Sequence, residues 1–117
     1  MEIKTIKIPE ISKKAFEVFT SNRNVLRMHE YQLAVLKISD NLAESDTKEQ
    51  AEGSFIILKE MLSFIRAILK LDDDAYDKLL DLDNERTQEI AEKLVGYMYG
   101  LTDEQLEKSS GEADPKE

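Results

Sequence analysis

Apolar and polar positions alternate along this chain with several distinct periods. From Ala51 to Leu71, the residues Ala51, Phe55, Leu58, Leu62, Ile65 and Leu69 recur at steps of three and four, which lines them along one side of a helix. Ile57, Met61, Phe64, Ile68 and Leu71 form a second line, displaced by roughly a quarter turn. Lys59, Ser63, Arg66 and Lys70 leave only a narrow polar strip. The pattern predicts a central helix with two apolar faces, entered through a capping box of Asp46 and Glu49, with Gly53 near its start. Ahead of it, Met28, Tyr31, Val35, Ile38 and Leu42 give a core-facing stripe to a helix over 23–43, and Leu26, Leu33 and Leu36 widen that stripe.

The flanking segments are shorter. Ile3, Ile6 and Ile8, interleaved with Lys and Thr, predict extended chain that stops at Pro9. Ser12 predicts the N-cap of a first short helix over 13–20, with Ala15, Phe16, Val18 and Phe19 on its apolar side. Asp72, Asp73 and Asp74 suit a helix start, where the macrodipole favours negative charge, and open a short helix carrying Ala75, Tyr76, Leu79 and Leu80. Asp83 or Asn84 caps a helix over 85–99 whose faces hold Ile90, Leu94 and Tyr97, flanked by Ala91, Val95 and Met98. Gly100 stands where a C′ glycine ends that helix, and Thr102 with Gln105 caps a last short turn. The fold class is therefore all-α, a compact bundle of five to six helices. An extended N-terminal arm covers 1–10, the helical domain 11–108, and a disordered acidic tail 109–117.

Composition narrows the function. The 117 residues make one domain. A formal net charge of −9 argues against a nucleic-acid phosphate binder. The charge is uneven: residues 1–40 hold seven Lys/Arg against five Asp/Glu, or +2, and residues 41–117 hold nine against twenty, or −11. A basic partner would be steered to the C-terminal part. The absence of cysteine excludes a disulfide scaffold and a Cys-based metal or redox site. The start of the chain lacks the apolar run of a secretory signal, and Phe55 to Leu71 is too short and too charged to span a bilayer, so no membrane association is expected.

Candidate chemistry is sparse. His29 is the single histidine, and no partner for acid–base work follows from spacing. Asp81-Leu82-Asp83-Asn84-Glu85, with Glu92 at the twelfth place, resembles a calcium loop, but Arg86 stands where the sharp turn needs glycine. The Asp72–Asp74 side chains point in different directions on a helix start, which suits capping better than a cation. Gly96 and Gly100 suggest one tight contact and one cap, and Tyr97 and Tyr99 half-buried packing or an interface. No catalytic residue, metal or cofactor is expected, and the chain reads as non-enzymatic. The surplus is apolar surface on the central helix: one face serves the core, and the other needs more of the chain or a partner.

The opening Met1-Glu2-Ile3-Lys4-Thr5-Ile6-Lys7-Ile8-Pro9, the helical body and the charged tail Ser109–Glu117 together resemble the tail assembly chaperones of long-tailed, non-contractile phages, and in particular the tape-measure chaperones of lactococcal siphophages. The resemblance spans essentially the whole chain and rests on size and order of elements, with no short motif through which a residue role could be carried over. It implies a viral protein of the host cytoplasm. Such a protein binds the long, helical, apolar tape measure protein and keeps it soluble until tail-tube subunits polymerise around it. It also implies self-association, and a frameshifted longer form that contacts the tail-tube protein. Helical spacing assigns client binding to Phe55, Leu58, Met61, Leu62 and Ile65, and self-association to Ile3, Ile6, Ile8, Phe16 and Phe19. The flexible, polarisable side chains of Met28, Met61 and Met98 suit a chaperone. The alternative is a structural oligomeric module such as a head–tail connector or helical adaptor.

Overall fold

A computed structural model describes residues 3–42 and 46–106. The acidic tail expected over 109–117 lies outside the described residues, as do Met1, Glu2 and most of the connection before Asp46. The order of elements is β1 (Ile3–Ile6), β2 (Phe16–Phe19), α1 (Asn22–Leu42), α2 (Thr47–Leu69), α3 (Asp73–Leu80) and α4 (Asn84–Met98). A further helical turn covers 103–106. The all-helical reading holds for the body, with a small two-stranded sheet at its N-terminal end.

That sheet corrects one expectation. Residues 16–19 form a strand, antiparallel to β1, and not part of a helix over 13–20. The register pairs Ile3 with Phe19 and Ile6 with Phe16, so apolar side chains meet across the ladder. Four residues, three of them aromatic or β-branched, are too few to hold a helix, and β1 supplies the unpaired backbone that they satisfy. Pro9 sits in a tight turn in which the Ile11 N–H donates to the Ile8 carbonyl at 2.9 Å, and Ser12 accepts from the Lys14 N–H instead of capping a helix. The connection folds back onto the body. Arg86 donates to Glu10 at 2.8 Å and to the Lys7 carbonyl at 3.3 Å, and this guanidinium holds the Glu10 carboxyl below its usual range. Ile6, Ile8, Ile11 and Val18 are all buried.

α1 starts where Ser21 accepts the Asn24 N–H at 3.3 Å. Asn24 is itself buried and donates through Nδ2 to the Phe19 carbonyl at 2.9 Å, which joins sheet to helix. Arg27 reaches both Asn24 Oδ1 and the Ala67 carbonyl, and Tyr31 stacks on Phe64 with ring centroids 4.6 Å apart. These cross-contacts run in opposite senses along the two chains, so α1 and α2 are antiparallel. The Asp46–Glu49 capping box is present, Lys70 closes α2 in the left-handed region at φ 55, and Asp72 caps α3 through the Ala75 N–H. Gly100 has φ 85, which favours glycine, and Thr102 and Gln105 cap each other's backbone.

The core gathers Met61, Phe64, Ile65, Ile68 and Leu69 from α2 with Ile90, Leu94 and Tyr97 from α4, Met28 from α1, Ile6 and Val18 from the sheet, and Ile8 and Ile11 from its connection. Gly96 lets the 103–106 turn dock, because a Cβ there would lie 2.3 Å from Leu106 Cδ2. Tyr97 is buried, not half-exposed; its hydroxyl donates to the Asp103 carboxylate, with the Thr5 carbonyl 3.4 Å away. Burial first, then the hydrogen bond to Asp103 and its charge, push this phenol above its ordinary value. Its contribution to stability is therefore full below about pH 10, where the unfolded tyrosine titrates, and is lost as pH rises from there toward the folded value. Thermal melts between about pH 8 and 11 should show that Tyr97→Phe flattens the alkaline decline. An unchanged decline would assign it to other groups.

Candidate functional site: an apolar cleft between α1, α2 and α4

Burial along α2 is uneven. Its second half is enclosed: Met61, Phe64, Ile65, Ile68 and Leu69 are all core residues. In its first half, Gly53 is buried and Ile57 half-buried, while Phe55 is 62% exposed, Leu58 37% and Ile56 also open to solvent. The surplus predicted for the central helix thus exists, and it is concentrated toward the N-terminal end. Asn84, the first residue of α4, lines the same open cleft as Ser54, so α4 does not close over this part of α2.

α1 carries more of the same surplus. Leu26, Leu33 and Leu36 do not widen its core stripe; all three are exposed, Leu33 at 66%. Leu26 and Leu33 are two turns apart and share an outward edge, whereas Leu36 turns toward α4.

Between these helices runs an open cleft in two lobes. One, of about 500 Å³, is lined by Ile57, Leu58 and Met61 of α2 and by Asn84, Gln88, Ala91 and Glu92 of α4, with Ser54 and Tyr31. The other, of about 330 Å³, is lined by Gln32, Val35 and Leu36 of α1 and by Ala91, Glu92 and Val95 of α4. Tyr31, Ala91 and Glu92 line both, so the lobes form one groove. Asn84 to Val95 advances roughly 17 Å, about three helical turns. The titratable side chains in the lining are Tyr31 and Glu92. Burial, then the Glu92 charge, raise the Tyr31 phenol. The lining sets no nucleophile against a base; it is suited to bury an apolar stripe.

The residues expected to bind a client divide sharply. Phe55 and Leu58 are exposed, Leu62 is half-buried, Met61 is 5% exposed at the floor of the cleft, and Ile65 is fully enclosed. Those expected to mediate self-association divide likewise: Ile3 is exposed, Phe16 and Phe19 are half-buried, and Ile6 and Ile8 lie in the core. Spacing within one helix missed Tyr31, Val35, Leu36, Ala91 and Val95. The signal available in the sequence was the excess of leucines on α1 beyond one stripe.

Among the described residues, no helix is long and apolar enough to cross a membrane. No curated protein sequence and no solved structure matches the chain. Residues 1–113, nearly the full length, match the family model of phage tail assembly chaperone proteins, TAC. The chain therefore belongs to the phage tail assembly chaperone family.

Proposed function

We propose that this chaperone is non-enzymatic and acts in the host cytoplasm, where it binds helical apolar segments of the tape measure protein and keeps them soluble before the tail tube polymerises. The observation that carries the reading is the open groove, lined in part by exposed Leu36 and Leu58, with exposed Phe55 one turn earlier on α2. Three turns of groove wall match the i, i+3, i+4, i+7 anchors of an amphipathic helix. Full burial of each leucine or phenylalanine contributes about 1.5–3 kcal/mol, so a few anchors suffice for capture. Phe55, Leu58 and Leu62 offer contact surface, Met61 an adaptable floor, and Ile65 support from within. Self-association draws on Ile3, Phe16 and Phe19 together with the outward Leu26 and Leu33, with Ile6 and Ile8 holding the sheet in place. Contact with the tail-tube protein belongs to a longer, frameshifted form.

Co-expression with the tape measure protein, followed by size exclusion with light scattering, tests this. The expected result is a soluble tape measure–chaperone complex, and loose, concentration-dependent association of the chaperone alone. A client equally soluble without the chain would overturn the reading. A tight chaperone ring of fixed mass that takes no client would favour a structural module.

A further inference from the structure

Among the described residues, Glu92 is the one charged side chain in the lining of the groove, and it belongs to both lobes. It makes no hydrogen bond or ion pair with any described residue. Glu85 and Glu89 precede it by seven and three positions, so the three carboxylates follow one edge of α4. Glu89 shares an ion pair with Arg86 at 3.5 Å, and Glu85 has no partner among the described residues. The opposite wall, formed by Gln32, Leu36, Ser54 and Leu58, is uncharged. The groove is therefore uncharged on the α1 and α2 side and carries one carboxylate, Glu92, on the α4 side, with Glu85 and Glu89 on the helix edge just outside the lining. This side belongs to residues 41–117, whose net charge is −11.

A helix laid in this groove sets one flank against α4. An acidic flank would meet like charge. A neutral flank would take water from Glu92 and return no partner. A basic flank pairs with it. We propose that the occupant is an amphipathic helix with lysine or arginine beside its apolar stripe, on the edge facing α4, and that Glu92 fixes its register. The inference deepens the reading of the cleft as a helix-binding site and rests on it.

Three designed helical peptides of about 18 residues, sharing one leucine stripe and differing only in a lysine, glutamine or glutamate flank, serve as probes. Fluorescence anisotropy at low salt should rank lysine about tenfold tighter than glutamine, with glutamate weakest. Glu92→Gln should collapse the ranking, and the triple variant Glu85→Lys, Glu89→Lys, Glu92→Lys should invert it. All three positions are exposed, and circular dichroism verifies that the variants fold. Equal binding of the three peptides, or a ranking that survives Glu92→Gln, would overturn the charge assignment while leaving helix capture intact. Failure of every peptide to bind would overturn both.

Discussion

Replacing Leu36 and Leu58 together by Asp should abolish capture of an apolar helix while leaving the fold in place. The two side chains line different lobes of the groove, one from α1 and one from α2, and both reach solvent. Each contributes about 1.5–3 kcal/mol when a client covers it. Losing both weakens binding by roughly 10²–10⁴-fold before the cost of desolvating two carboxylates is counted. Neither belongs to the buried core, so stability should move by only about 1 kcal/mol or less per site. Pull-down of co-expressed client, with circular dichroism on the same preparation, reads both quantities. Retained binding would move the site elsewhere. Lost helicity would mean that these leucines hold the subunit together.

The parts of the fold that could be read from the sequence are those decided locally. Asp46 with Glu49, Asp72, Gly100, and Thr102 with Gln105 each close a helix end within a few residues, so spacing alone locates them. Phe16–Phe19 could not be read this way. Its four residues suit either a helical turn or a strand, and the choice is made by β1, ten residues away across the Pro9 turn. The candidate site was half legible for a similar reason. Two apolar rows on α2 announced surplus surface, but its position along the helix depends on α4, whose first residue lines the same cleft as Ser54. The α1 leucines, read as core, are exposed because α2 fills the side occupied by Met28 and Tyr31 and leaves Leu26 and Leu33 on the opposite edge. A groove built from three helices leaves only surplus apolar residues in each one, as on α1 and α2, and its shape appears only when they pack.

The division of α2 into a buried and an open half makes a paired prediction. Ile65→Ala should destabilise the subunit by about 2–5 kcal/mol, since Ile65 is fully enclosed among core side chains and its removal leaves a cavity. For a domain of this size, that lowers the melting temperature by roughly 10–25 °C. Phe55→Ala, ten residues earlier on the same helix, should leave the melting temperature nearly unchanged. Phe55 is largely exposed, and Lys59 Nζ lies over its ring at 5.3 Å from the centroid. The same substitution should weaken client binding by about tenfold, the equivalent of removing one aromatic anchor. Thermal melts at low protein concentration, set beside client pull-down, separate the two residues. If Phe55→Ala proves as destabilising as Ile65→Ala, the first half of α2 is already covered in solution, and a second copy of the chain would then occupy the surface here assigned to the client.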